Sequence, residues 1–231
     1  LKDRKDLTNL KFITIDGATA KDFDDAIYVE QKPDGFHLWV AIADVSHYVK
    51  PGRPMDKDAY ERGTSTYFPN FVVPMLPEAL SNELCSLKPN VIRLSLVAEM
   101  KLNFAGELTH SEFYEDYIKS QARVIYGEAQ EVVDGNCPEK LKHVQENILK
   151  AADLAKILLA KRTREGSLQL EIGETQVVLN DLGEPVDLIR AERVFAHRLI
   201  EELMLIANVA VAKYFKKCEI EAIYRIHEPP R

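Results

Sequence analysis

The sequence predicts an α+β fold in which a mixed, largely antiparallel sheet built from hairpins packs against two long helices. Segments with strand patterns occur in pairs joined by turn residues, which is typical of hairpins. Two long stretches have apolar residues at helical spacing, and the strands and helices do not alternate as in βαβ units. The chain has 231 residues, of which 46% are hydrophobic, enough for one large core. No linker divides it, so we expect one domain over residues 1–231.

The first half of the chain is predicted to form hairpins. Lys32–Gly35 is a strong turn signal, and pairing Gln31 with Phe36 across it fixes a register in which paired positions sum to 67. An irregular loop with short helical turns is expected over Tyr60–Pro89. The predicted strands are Lys11–Asp16, Ala26–Gln31, Phe36–Val45 and Ile92–Phe104, followed after Gly106 by a returning partner that extends to Val124.

The second half is predicted to contain the long helices. Pro138 suits a first helical turn and Gly166 suits a stop, so one helix is expected over Pro138–Arg164. The other is expected over Glu192–Lys217, where the lysines of the last turn favour a helix C-terminus. A second hairpin and a last strand complete the prediction: Thr175–Leu179 with Pro185–Ile189, and Ala222–Ile226.

Composition limits the class of protein. The chain has 30 Lys and Arg against 37 Asp and Glu, a net charge of −7, which argues against a wholly basic nucleic-acid wrapper. Three widely spaced cysteines without a CxxC indicate neither a disulfide framework nor a cysteine zinc site. The N-terminus is no secretory signal, and the apolar stretch Leu203–Ala212 is about half of a membrane span. We therefore expect a cytoplasmic protein without a membrane segment.

The most informative segment is acidic. Asp16, Asp22, Asp24 and Asp25 fall within ten residues between two predicted strands. Phe23 is apolar inside this run, so the segment is expected to pack against a core and hold its charges near a buried surface. Two carboxylates about 4 Å apart repel by about 1 kcal/mol in water and about 4 kcal/mol at an effective dielectric near 20. A cation would neutralise them, and hard oxygen donors favour Mg²⁺ or Mn²⁺ over zinc.

Other interpretations of the acidic run stay open. Such a run is often a solvated loop with turn-forming aspartates. A calcium loop of the EF-hand type fits poorly, because counting from Asp22 places Ile27 at the sixth position instead of Gly and Pro33 at the twelfth instead of Glu. In the register above, Asp44 lies opposite Phe23 and would add a fifth carboxylate, although alone it is better interpreted as a capping or turn residue.

The segment closely resembles the RNB domain of the ribonuclease II and ribonuclease R family. A later motif of the chain, Gly-Thr-Ser-Thr-Tyr-Phe-Pro at residues 63–69, is more similar to the ribonuclease R branch of the family. The resemblance continues in family order over nearly the whole chain through these blocks: residues 16–26, 40–46, 62–69, 73–77, 80–87, 196–202 and 224–230.

The resemblance implies processive 3′-to-5′ hydrolysis of single-stranded RNA to nucleoside 5′-monophosphates, with a divalent metal that is normally Mg²⁺. Asp16, Asp22, Asp24 and Asp25 match the family's four active-site aspartates, so the resemblance implies that all four are catalytic and metal-binding. Asp16, Asp22 and Asp25 mainly hold metal in this interpretation, and Asp24 is the most chemically critical carboxylate. Tyr67 matches a tyrosine that stacks on a base near the RNA 3′ end, although without the resemblance an anchoring role in a core or loop would be preferred.

The resemblance is incomplete at the C-terminus. The family's Ala-Thr-Ser-Pro-Leu-Arg-Arg type motif, which supplies a phosphate-contacting arginine, is absent, and so are flanking cold-shock and S1 RNA-binding domains. We therefore expect an incomplete catalytic domain of a longer protein. A non-catalytic RNA-binding module and a plain cation-binding domain remain as alternatives. A polar stripe of His197, Glu201 and Asn208 on the second helix faces either an RNA channel or solvent.

Overall fold

The structure is a computed structural model that describes residues 3–168, 175–190 and 193–224. Its strands are β1 Lys5–Asp6, β2 Ile13–Asp16, β3 Asp25–Lys32, β4 Gly35–Ala43, β5 Thr66–Tyr67, β6 Val72–Val73, β7 Ile92–Asn103, β8 Leu108–Lys119, β9 Ala122–Ile125, β10 Thr175–Leu179 and β11 Pro185–Arg190. Its helices are α1 Val45–Tyr48, α2 Pro54–Arg62, α3 Tyr126–Val133, α4 Gln145–Arg164 and α5 Phe195–Lys217, with a π-helical turn at Ala79–Leu84 and a 3₁₀ turn at Glu139–Leu141.

Seven strands form the main sheet in the order β1-β8-β7-β4-β3-β2-β9. The central pairs are antiparallel, whereas β1 with β8 and β2 with β9 are parallel. Two small ribbons, β5 with β6 and β10 with β11, lie outside this sheet. The predicted mixed, largely antiparallel sheet is therefore confirmed.

The register of the first hairpin is the predicted one. Gln31 pairs with Phe36 across the turn, and the ladder continues without a slip to Asp25 opposite Ile42. Because a slip of one residue would turn every side chain to the opposite face, this pairing fixes which residues of β3 and β4 enter the core.

One face of the sheet is covered by α3, α4 and α5. The sheet contributes Ile27, Leu38 and Met100, and the helices contribute Ile148 and Leu199, all fully buried. Burying one such side chain contributes about 1.5–3 kcal/mol to the hydrophobic term. The two long helices thus pack as predicted, on the sheet and on each other.

The opposite face has a second core. Phe12, Phe23 and Trp39 lie there, together with Leu87 and Ile118. The chain between β4 and β7 covers this face, and Leu80 of the π-helical turn also enters the core. The segment 17–24, which contains Phe23, is therefore held between the sheet and this covering chain.

Several predicted boundaries were wrong. A 3₁₀ turn follows Pro138, and α4 begins only at Gln145. The strand expected to extend to Val124 ends at Lys119, after which β9 pairs in parallel with β2. The helix α3 was not predicted, because its eight residues are too short for a clear apolar period.

Other predictions hold in part. The segment predicted as an irregular loop contains the end of α2, the β5–β6 ribbon and the π-helical turn. The β10–β11 hairpin is confirmed. Residues 222–224 form no strand, and 225–226, with most of the last family block, lie outside the described residues. The second long helix begins at Phe195, while its predicted start at Glu192 is also outside them. Over the described ranges, no helix combines the length and apolarity needed to cross a membrane.

Candidate active site

The four aspartates lie where β2 ends and β3 begins. Asp16 is the last residue of β2, and Asp25 is the first residue of β3. The two strands are antiparallel neighbours, so these ends meet at one edge of the sheet. Asp22 and Asp24 lie on the connecting segment, residues 17–24, which we call the acidic loop. The structure thus brings the four predicted residues to one place.

The carboxyl groups influence one another's protonation. Burial, and after it the charge of Asp25, raises the pKa of Asp16 to about 7. Burial, and after it the charge of Asp24, raises the pKa of Asp25 to about 6. The pKa of Asp24 is raised as well, by burial and then by Asp22. Because each group disfavours the charge of its neighbours, the cluster would be stabilised by a bound cation.

One oxygen of the cluster lacks a partner. Oδ2 of Asp16 is buried and accepts no hydrogen bond from any described residue. Leaving such an atom unsatisfied costs free energy, and a hard divalent cation is one group that would satisfy it. The donor set fits Mg²⁺ or Mn²⁺ chemically. Within the described ranges, however, no three acidic, histidine or cysteine side chains are arranged closely enough to hold a metal ion.

Phe23 anchors the acidic loop to the second core, as predicted. Its side chain is 5% exposed. Its N–H donates to Oγ of Ser86 at 3.0 Å, and its carbonyl accepts from the N–H of Leu87 at 2.8 Å. The next carbonyl, of Asp24, accepts from the N–H of Ala43 at 2.8 Å. The burial of Phe23 and these bonds thus fix the main chain between Asp22 and Asp25.

Tyr126 is a residue of this region that the sequence analysis missed. Burial raises its pKa, and the charges of Asp16 and Asp25 raise it further, which places the phenol beside the cluster. Its ring stacks on His197 with centroids 3.9 Å apart. Tyr126 directly follows β9, which pairs with the strand that ends in Asp16, and this position could have predicted that it lies near the aspartates.

The polar stripe on α5 does not act as one surface. His197 lies against Tyr126, and its Nδ1 accepts from the N–H of Val194 at 3.2 Å. Glu201 forms an ion pair with Arg193, and Asn208 is exposed two turns further along. Only the N-terminal member of the stripe is thus connected to the acidic cluster through a described contact.

Tyr67 lies in β5, outside the main sheet. Its side chain is 68% exposed, and its strand pairs with β6 through Val72. Beside it, the rings of Phe68 and Phe71 stack with centroids 4.5 Å apart. The exposed ring contradicts a core position for Tyr67, whereas loop anchoring and base stacking both stay predictions.

Asp44 does not join the acidic cluster. It caps the N-terminus of α1, where its carboxylate accepts from the N–H of His47 at 3.0 Å and from Oγ of Ser46 at 2.6 Å. It also forms a buried ion pair with Arg4. The expected fifth carboxylate is thus used in structure, in agreement with the alternative that Asp44 is a capping residue.

Comparison with known proteins gives consistent matches. Residues 4–231 match the RNB domain. Ribonuclease R of Vibrio cholerae is 43% identical over 230 residues, which cover 98% of this chain and 28% of that protein. Ribonuclease R of Escherichia coli is 42% identical over 230 residues, with the same two coverages of 98% and 28%.

A solved structure extends the likeness to three dimensions. RNase R of Mycoplasma genitalium in complex with ribose methylated single-stranded RNA superposes with a TM-score of 0.93 at 36% identity, covering 100% of this chain and 36% of that one. The present chain thus spans about a third or less of the length of these relatives. From its sequence match and its fold, the chain belongs to the RNB domain family, with relatives named ribonuclease R.

Proposed function

We propose that the chain is the catalytic part of a metal-dependent 3′-to-5′ exoribonuclease that degrades single-stranded RNA to nucleoside 5′-monophosphates. The observation that carries the proposal is the meeting of four aspartates at one sheet edge, where the pKa values of Asp16, Asp24 and Asp25 are raised and one buried oxygen of Asp16 is unpaired. Membership in the RNB domain family and relatives named ribonuclease R support the substrate class.

Mg²⁺ is the proposed metal, and Mn²⁺ shares its preference for carboxylate oxygens. The half-buried Asp16, Asp22 and Asp25 would hold it. When bound, the metal would activate water and stabilise negative charge on the scissile phosphate and the leaving 3′ oxygen. Asp24 is the most exposed of the four, so we assign its carboxylate to the side from which the substrate approaches, where it orients the reacting groups.

Tyr67 is proposed to stack on a base near the RNA 3′ end. The 68% exposed ring and the adjacent exposed Phe68 and Phe71 offer aromatic faces on one ribbon. Stacking contributes about 1–3 kcal/mol per base and tolerates any sequence, because every base has a π-face. This property suits an exonuclease that removes nucleotides regardless of identity.

The negative net charge of the chain fits a protein in which other domains bind the RNA. A net charge of −7 does not favour RNA capture by this chain alone. The relatives are about three and a half times as long as this chain. Cold-shock and S1 domains are the flanking RNA-binding parts that we expect. We propose that such domains supply the basic surface while this chain supplies the acidic cluster.

The test uses the full-length natural protein and a 5′-labelled single-stranded RNA. With Mg²⁺, we expect shortening from the 3′ end and release of mononucleotides, and removal of the metal with EDTA should stop both. Asp24→Asn should lower the rate by about 10²-fold or more. The matched control, Asp153→Asn on the exposed face of α4, should stay within about twofold of the wild type, a range that leaves a hundredfold loss clear.

Three outcomes would contradict the proposal in different ways. Full activity of Asp24→Asn would remove that residue from the reaction. RNA binding without product under saturating Mg²⁺ and Mn²⁺ would identify a non-catalytic RNA-binding module. A thermal shift with Mg²⁺ but none with RNA would identify a plain cation-binding domain.

A further inference from the structure

The acidic loop has little hydrogen bonding of its own. Within residues 17–24, the described main-chain bond runs from the N–H of Ala20 to the carbonyl of Gly17, at 3.2 Å. A segment with so few internal bonds has no fixed shape unless other parts of the chain hold its carbonyls. The groups that bond these carbonyls therefore determine the positions of the aspartates.

The guanidinium of Arg123 holds the first half of the loop. Its Nη2 donates to the carbonyl of Ala18 at 2.6 Å, and it lies 3.3 Å from that of Ala20 and 3.5 Å from that of Gly17. Its Cζ is 5.1 Å from the ring centroid of Phe23, a cation–π contact. One side chain therefore joins both ends of the segment between Asp16 and Asp24.

The position of Arg123 follows from the parallel pairing of β9 with β2. Arg123 lies beside Thr14 in that pairing, two residues before Asp16. Its long side chain thus starts from the neighbouring strand and reaches over the loop that β2 enters. All three contacts come from Nη2, which the planar guanidinium holds in a fixed orientation over the loop, whereas a lysine ammonium is a point charge on a flexible stem.

Ser86 holds the second half of the loop. Its Oγ donates to the carbonyl of Lys21 at 3.0 Å and accepts from the N–H of Phe23 at 3.0 Å. The side chain is fully buried, so both bonds are protected from water. These two bonds fix the main chain on either side of Asp22.

Arg123 makes these contacts without neutralising the aspartates. Among the described ion pairs, none joins its guanidinium to a carboxylate. An arginine paired with Asp22 or Asp24 would compete with a cation for the same oxygens. By bonding carbonyls instead, Arg123 orders the loop and leaves the carboxylates available.

We propose that Arg123 and Ser86 are positioning residues of the acidic loop, which hold the aspartates in the arrangement that binds metal and substrate. This inference rests on the proposed function for its catalytic consequence, whereas the ordering of the loop does not depend on catalysis. The two statements can therefore be tested separately.

The ordering of the loop is tested by amide hydrogen exchange of the full-length protein without RNA. Arg123→Met keeps an unbranched side chain and removes every donor, and Ser86→Ala removes the hydroxyl. We expect exchange over residues 17–24 to accelerate about tenfold or more in both variants, while the β7–β8 hairpin keeps the wild-type rate. Arg164→Met, at the exposed C-terminal end of α4, is the matched control and should leave the loop unchanged.

The catalytic consequence is tested by kinetics on the same variants. A misplacement of about 1 Å can lower a rate by about 10²-fold, so Arg123→Met should lower kcat by about 10- to 100-fold. The KM for RNA should change less than threefold, and the Mg²⁺ concentration for half-maximal rate should rise. Arg123→Lys, which retains the charge and N–H donors on a shorter side chain, should recover part of the loss.

The outcomes separate the two proposals. Wild-type exchange of the loop in both Arg123→Met and Ser86→Ala would overturn the positioning role. If Arg123→Met fails to fold, wild-type exchange in Ser86→Ala alone would overturn it. A raised KM with unchanged kcat would overturn it as well, because it would mean that Arg123 binds RNA directly. Faster loop exchange in a protein whose wild type degrades no RNA would support the positioning role and refute the exoribonuclease proposal.

Discussion

Asn147 closes a gap between the strands that carry Asp16 and Asp25. The strands β2 and β3 pair where Ile13 faces Ile27. Beside this point, Nδ2 of Asn147 on α4 donates to the carbonyls of Lys11 at 3.0 Å and Ile27 at 3.2 Å. Its Oδ1 accepts from the N–H of Val29 at 2.9 Å. The side chain is 4% exposed, so one amide replaces the missing ladder bonds inside the core.

Replacing Asn147 with leucine, which has a similar volume, should destabilise the protein strongly. Two buried main-chain groups and one partly buried carbonyl would lose their partner, at about 1–3 kcal/mol each. Taking the lower end for the three groups, and allowing about 1 kcal/mol for the buried leucine, the net loss is about 2 kcal/mol. For a domain of this size, 1 kcal/mol corresponds to about 2–4 °C, so the melting temperature should fall by about 4–8 °C.

Differential scanning calorimetry of the full-length protein measures this change. Asp153→Leu, on the exposed face of the same helix, is the matched control and should shift the same transition by less than about 2 °C. If Asn147→Leu also melts within about 2 °C of the wild type, the three hydrogen bonds contribute little net stability. The explanation of how α4 joins β2 to β3 would then be wrong.

Two further predictions concern pH and RNA binding. Burial raises the pKa of Asp116, whose Oδ1 accepts from Oγ of Ser95, to about 6. Because the folded state then keeps this proton to a higher pH than the unfolded state, its contribution to stability falls as the pH rises from about 4 to about 6. The free energy of unfolding, measured with a chemical denaturant, should therefore fall between pH 4.5 and 7.5 in the wild type by roughly 1–2 kcal/mol more than in Asp116→Asn. If the free energy of unfolding has the same pH dependence in both proteins, the raised pKa of Asp116 is wrong. Tyr67→Ala should weaken binding of a single-stranded RNA 3′ end by about 5- to 150-fold in fluorescence anisotropy, and Tyr67→Phe should stay near the wild type; equal loss in both would argue for the hydroxyl instead of stacking.

The hairpin and the acidic loop were largely predictable from the sequence. The turn at Lys32–Gly35 fixes the β3–β4 register, because a two-stranded ladder follows from its turn. Phe23 within the acidic run was sufficient to predict that this segment packs on a core, since an apolar ring gains by leaving water. Both inferences depend on residues that are neighbours along the chain.

The errors involve contacts between distant residues. The four-residue strand β9 looks like a continuation of the strand before it, because its local pattern does not reveal which strand it will pair with. The same limit hid Tyr126, which begins the unpredicted helix immediately after β9. Asp44 was expected in the acidic cluster from register alone, but the strand ends at Ala43 and the chain turns into α1.

The sequence by itself determined that four aspartates stand between two strands and that one aromatic residue ties them to a core. Only the tertiary structure decided which distant side chains hold that segment, since Arg123 and Ser86 are far from it along the chain and Arg4 reaches Asp44 from the N-terminus. The physical reason is that turns and apolar patterns are local, whereas a donor for a loop carbonyl can come from any strand that the sheet topology places beside it.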